Sequence, residues 1–149
     1  MRPSLILPFV AAVALAGAPA FGDTDPDAQI KFRKSVMSAV GGSASAIAAV
    51  LKGEVAAPDS LPVLTATLAS ASDPVLTVAA FRPDTTDQGF EKTTATPRVW
   101  TDWAEFEKGL MALNETARAA AAKGADVTMA DMQEVFKTCK ACHDDFREK

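Results

Sequence analysis

One histidine, two cysteines and no tyrosine occur in 149 residues, and these scarcities narrow the chemistry first. With His143 alone, no site built on two imidazoles is possible. Two cysteines and one histidine fall short of the roughly four ligands that a zinc site takes. No block of Lys or Arg interrupts a composition of net charge −4, which argues against nucleic acid and anionic membrane surfaces as partners. Sustained period-two alternation is missing, as are Asn-Gly and Asp-Gly turns, so no strand is expected. No apolar run is long enough to span a bilayer.

The longest apolar run, Leu5 to Ala16, is interrupted by Pro8 and preceded by Arg2. Ala18-Pro19-Ala20 follows it with the small-x-small form of a signal-peptide cleavage site. Cleavage after Ala20 is expected, removing residues 1–20 as a secretory leader and leaving residues 21–149 as a single domain exported to the periplasm. The competing possibility, an uncleaved membrane anchor, is disfavoured by the shortness of the run. Loss of Arg2 makes the mature chain one charge more negative. In an oxidising compartment two thiols three residues apart tend to pair unless other chemistry consumes them.

Along the chain, Asp25-Pro26-Asp27 reads as a helix start. Ile30, Arg33, Met37, Val40, Ala44, Ile47 and Leu51 then follow at alternating spacings of three and four, one seam of a bundle helix. Gly41-Gly42 sits inside that helix and permits a bend, or the close approach of a neighbour or flat ligand; Gly53 suits its C′ position. A shorter helix is expected from about Asp59 or Ser60 to Ala71. Residues 72–96, with two prolines and Gly89, read as a long crossover anchored by Val75, Leu76, Val78, Phe81 and Phe90. A third helix opens at Pro97 and runs through Val99, Trp103, Phe106, Leu110, Leu113, Ala117 and Ala120. Thr128 and Asp131 resemble a capping box, and the last helix presents Met129, Met132, Phe136, Cys139, His143 and Phe146 on one stripe. The expected fold is all-α, an antiparallel up-down-up-down four-helix bundle with one long crossover.

The chemistry concentrates in Cys139-Lys140-Ala141-Cys142-His143. Cys-x-x-Cys-His is the attachment signature of c-type haem. Cysteines at i and i+3 on a helix can both bond one porphyrin edge, and the adjoining histidine is placed to ligate the iron. One covalent haem c held by Cys139 and Cys142, with His143 as proximal ligand, is therefore expected. The second axial position decides between electron transfer and ligand binding. Met129 and Met132 share the haem-bearing helix and cannot reach around it, and Met111 lies off its seam. Met37 sits mid-seam on the first helix, as a distal ligand or as core filler, which methionine often is. Arg33, one turn earlier, would need an anionic partner if buried, and a haem propionate is one.

Several segments carry a resemblance: Cys-Lys-Ala-Cys-His-Asp-Asp-Phe-Arg at the C-terminus, Lys-Phe-Arg-Lys-Ser-Val-Met at residues 31–37, Lys52-Gly53-Glu54, and Pro97-Arg98-Val99-Trp100. Together they resemble the class II c-type cytochromes, the cytochrome c′ family, over essentially the whole mature chain. The family has the up-down-up-down bundle. The resemblance implies that the first-helix residue facing the iron divides the family. An apolar residue leaves iron five-coordinate and open to NO or CO, whereas Met gives the low-spin c-556 branch. Counting back from Lys52 by the family spacing lands on Met37, which favours the ligand role. The resemblance further implies that Arg33 contacts a propionate and that Arg147 lies beside the imidazole or a propionate; a solvated charge favourable to the helix dipole is the alternative for Arg147. Phe146 departs from the family, where Tyr is frequent.

The expected function is a periplasmic electron carrier with His143 and Met37 as axial ligands, with no catalytic residues and no contact with membrane or nucleic acid. Its redox partner would be basic-surfaced to match an acidic chain, and a homodimer is common in the resembled family. The alternative is a cytochrome c′ that binds NO or CO, with five-coordinate iron or a displaceable Met37. A thiol-disulfide or zinc protein is a third possibility, weakened because its Cys-x-x-Cys ends an all-helical chain.

Overall fold

The protein is described by a computed structural model covering residues 24–149; the leader expected at residues 1–20 lies outside the described residues. Among the described residues there are six α-helices: α1 (Pro26–Leu51), α2 (Leu61–Ala71), α3 (Pro74–Phe81), α4 (Arg98–Thr101), α5 (Trp103–Ala121) and α6 (Met129–Phe146). The long helices α1, α2, α5 and α6 form the bundle, with α1 on α2, α2 on α5 and α5 on α6. Among the described residues no strand forms; a lone antiparallel bridge joins Ala95 to Arg147.

Local chemistry sets the ends. The Asp25 carboxylate accepts the Asp27 N–H at 3.2 Å, and Pro26 occupies the first turn of α1. Gly53 closes α1 at φ +74°. Its N–H donates to the Val50 carbonyl, and Glu54 N–H donates to Ala49, both at 3.0 Å. That is a Schellman closure, whose left-handed residue glycine adopts without a Cβ clash. Thr128 and Asp131 form the expected capping box of α6. By length and composition α1 passes for a membrane span, yet it places Ile30, Val40 and Ile47 in the interior beside the buried Arg33.

Three expectations need correction. First, the segment from Ser72 to Thr96 is not one loop, because it contains α3. Asp73 caps that helix by accepting the Val75 N–H at 2.9 Å, and Pro74 takes the position where a missing N–H costs nothing. Of its expected anchors, Phe81 is buried, but Val75 and Phe90 are 80% and 98% exposed. Second, the helix opening at Pro97 breaks at Asp102, with φ −124° and ψ 46°, separating α4 from α5. Third, the buried stripe of α6 is turned toward Val135 and Cys142 while keeping Met132, Cys139 and Phe146. Val135, not Phe136, is in the core, and Phe136 is 36% exposed.

The remainder of the crossover is strapped down. The Asp27 carboxylate accepts the N–H groups of Phe90 and Glu91, each at 2.7 Å, and Lys34 pairs with Glu91 at 2.5 Å. Those backbone N–H groups hold the Asp27 carboxyl below its usual range. Gly89 has φ +73°, and a Cβ there would overlap Asp27 Oδ1. Gly89→Ala should therefore lower stability by roughly 1–3 kcal/mol from the left-handed backbone alone, with the lost latch added. A thermal melt unchanged from wild type would contradict this.

Candidate haem site

Two apolar clusters fill the interior. One gathers Val40, Ile47, Leu68, Leu113, Met132 and Val135; the other gathers Val36, Phe81, Val99, Phe106, Leu110 and Phe146. Met37 packs against both. Cys139 joins the first cluster and Cys142 the second. Between the clusters lies a cavity of about 730 Å³, within the range of roughly 300–1,000 Å³ typical of small-molecule and cofactor pockets.

The cavity collects every site residue expected from the sequence: Arg33, Met37, Cys139, Cys142, His143 and Arg147 all line it. The rotation of the α6 stripe matters here. Met132, Val135, Cys139, Cys142 and Phe146 follow one another at spacings of three and four. Both cysteines therefore lie on the packed stripe, half-buried, while His143 lies on its flank and is exposed to the cavity. Sequence periodicity had paired Cys139 with His143 on that stripe and left Cys142 at its edge.

Both cysteines are free thiols. Burial raises the pKa of each; for Cys142, with the Cys139 and Asp145 charges adding to burial, it is pushed up to about 11. Partial desolvation, then the Arg147 charge, lowers the His143 imidazole from its ordinary range, with Asp144 opposing. A neutral imidazole is the form that ligates metals. Among the described residues no three His, Cys, Asp or Glu side chains gather into a metal-sized cluster, so the zinc possibility gains no further ligand.

Arg33 is buried, at 3% exposure, but its partners are not anions. Its Nε–H donates to the Ala80 carbonyl at 3.1 Å, Nη1 to Thr85 Oγ1 at 3.1 Å and Nη2 to the Pro83 carbonyl at 3.3 Å. The guanidinium also lies 5.0 Å from the ring centroids of both Phe81 and Trp100. Carbonyl oxygens and ring faces supply negative potential to the guanidinium. Burial lowers the guanidinium pKa and Asp84 offsets part of that. Three of its five N–H donors are used, leaving two that a propionate could accept.

Arg147 lines the cavity close to His143, whose carbonyl accepts the Arg147 N–H at 3.3 Å. Sequence reasoning missed the strap residues Lys92, Thr93, Thr94 and Ala95, which form part of the cavity wall. Their place is fixed by contacts distant in sequence, including Glu148 N–H to Thr94 carbonyl at 2.8 Å and Thr96 N–H to Phe146 carbonyl at 3.0 Å.

The sequence model of the cytochrome C′ family matches residues 28–147. The chain belongs to the cytochrome c′ family. It is 34% identical over 139 residues to a cytochrome c′ of Rhodopseudomonas palustris, covering 92% of this chain and 91% of that one. It is also 34% identical over 127 residues to a cytochrome c′ of Rhodospirillum rubrum, covering 83% and 84%. Among solved structures, cytochrome c′ from Rubrivivax gelatinosus superposes with a TM-score of 0.73 at 26% identity, covering 84% of this chain and 98% of that one. A nitric oxide complex of a cytochrome c prime variant from Alcaligenes xylosoxidans does so with a TM-score of 0.69 at 29% identity, over 85% and 98%.

Membership of the family brings one covalently attached haem c, and the residues of this chain fit it. Two free thiols stand on one helix face at the cavity, and an imidazole held toward its neutral form stands beside them. Gly109 on α5 faces Cys142. A Cβ there would come within 3.8 Å of Cys142 Sγ and fill space beside that thiol. Phe81, Val99, Phe106 and Leu110 supply the apolar walls that a porphyrin face needs.

Proposed function

We propose that this protein is an exported haem c protein that takes up small diatomic gases such as NO or CO, with Met37 as a displaceable neighbour of the binding position. When bound, the haem would supply a one-electron iron centre able to take up a small ligand. Cys139 and Cys142 would hold it covalently and His143 would supply a nitrogen ligand. Met37 offers a thioether from α1, while the apolar walls exclude water. Arg33 and Arg147 are the candidates to receive propionates. The observation that carries the reading is that His143 on α6 and Met37 on α1 line one cavity, in a chain whose named relatives are cytochromes c′.

A second reading, the low-spin c-556 branch carrying electrons with permanent His143 and Met37 ligation, is favoured by the thioether in the cavity. Its basic-surfaced partner rests on the net charge of −4. The cavity lining carries Arg33, Lys34, Lys92 and Arg147 against Glu148, so a basic partner would be directed to another face. Association as a homodimer belongs with either reading.

The ferrous optical spectrum with and without CO separates them. A spectrum that shifts on addition of CO is expected. Sharp, split bands indifferent to CO would establish the electron-transfer reading instead.

A further inference from the structure

Gly41 lies one turn beyond Met37 on α1, and Arg33, Met37 and Gly41 line the cavity as successive residues of one helix ridge. A glycine in a helix interior costs about 1 kcal/mol relative to alanine, so its presence needs a cause. Backbone conformation is not the cause. Gly41 sits within α1, and among the described residues the glycines with positive φ are Gly53, Gly89 and Gly124. Close packing is not the cause either, since a Cβ on Gly41 would meet no protein atom within 4 Å. What distinguishes Gly41 from Gly42, which shares both of these features, is its place in the cavity lining. A Cβ at Gly41, one turn along the ridge from Met37, would take up space at the cavity wall. Gly42 is the internal contrast: it is equally free of neighbours but does not line the cavity.

We infer that Gly41 is a specificity-determining residue, the missing side chain that sets how large a ligand the Met37 side of the cavity admits. The ligand class is a neutral diatomic or a short alkyl-bearing analogue, because the adjoining wall is formed by Met37 and Val40. The inference deepens the gas-binding reading and rests on it for its biological meaning, but its test does not.

The test uses the ferrous holoprotein carrying Met37→Leu, so that no thioether competes, and compares CO, ethyl isocyanide and n-butyl isocyanide by equilibrium titration. One methylene in an apolar pocket is worth roughly 10–200-fold in discrimination. Gly41→Ala should thus weaken n-butyl isocyanide about tenfold or more relative to CO, and Gly42→Ala should leave the ratio unchanged. Both changes add a better helix former, so neither melting temperature should fall, which separates lost space from lost fold. An unchanged ratio in Gly41→Ala, an equal change in Gly42→Ala, or no isocyanide binding in the Met37→Leu protein would overturn the inference. If the parent protein ignores CO while Met37→Leu binds it with the expected size ratio, the gas-binding reading fails and the role of Gly41 stands.

Discussion

Arg33→Ala is expected to lower stability by about 3 kcal/mol, seen as a large drop in the urea midpoint of the holoprotein. The loss is assembled from several parts. Truncation leaves the Pro83 carbonyl and Thr85 hydroxyl without the donors that Nη2 and Nη1 supply, and an unsatisfied buried acceptor costs about 1–3 kcal/mol. The Ala80 carbonyl suffers less, because Gln29 Nε2 also donates to it at 2.9 Å. The ring contacts with Phe81 and Trp100 go as well, at about 0.5–2 kcal/mol for a desolvated pair. Arg33→Lys keeps the charge but cannot reproduce the planar fork, so it should recover only part of the loss. A midpoint within experimental error of wild type for Arg33→Ala would mean that this network does not hold the crossover to α1.

Arg33 also shows where sequence reading stops. Its burial was legible from the seam, since a helical period predicts a face. Its partners were not. They belong to residues 80–85, and no local pattern announces which carbonyl a long side chain will meet across the bundle. The same division runs through the fold. Gly53, the Thr128–Asp131 box and the helix start at Asp25-Pro26-Asp27 were readable because each is set by near neighbours. Helix α3 was obscured because Pro74 reads as a breaker in a Thr- and Pro-rich stretch, although a proline in the first turn also starts helices.

The stripe of α6 was ambiguous for a different reason. Val135 and Phe136 are both apolar, so a seam that takes Val135 and Cys142 in place of Phe136 and His143 keeps Met132, Cys139 and Phe146 and turns by only about 40° on a helix with 3.6 residues per turn. Packing resolved the choice by burying Val135 against the cluster of Leu113 and Met132. That rotation puts both thiols on the packed stripe and leaves the imidazole facing the cavity. The attachment motif was legible in spacing alone, but its orientation required the rest of the bundle.

Met37→Leu should raise the CO affinity of the ferrous protein by about tenfold to a hundredfold. An internal ligand that occupies a site for about 99% of the time reduces apparent affinity about a hundredfold, and removing it restores that factor. Met37 is the one methionine lining the cavity among the described residues, so no other thioether there can substitute. Leu and Met have similar volumes, and such swaps usually cost under about 1.5 kcal/mol, so the contact of this side chain with both core clusters should survive. The reduction potential should fall as well, because thioether ligation raises it. The two measurements together assign the role of Met37. Tighter CO binding with a lowered potential identifies a thioether that ligates and yields. If CO affinity and potential both stay at their wild-type values, Met37 is only part of the cavity wall. The gas-binding reading then survives without it, whereas the electron-transfer reading loses its second ligand.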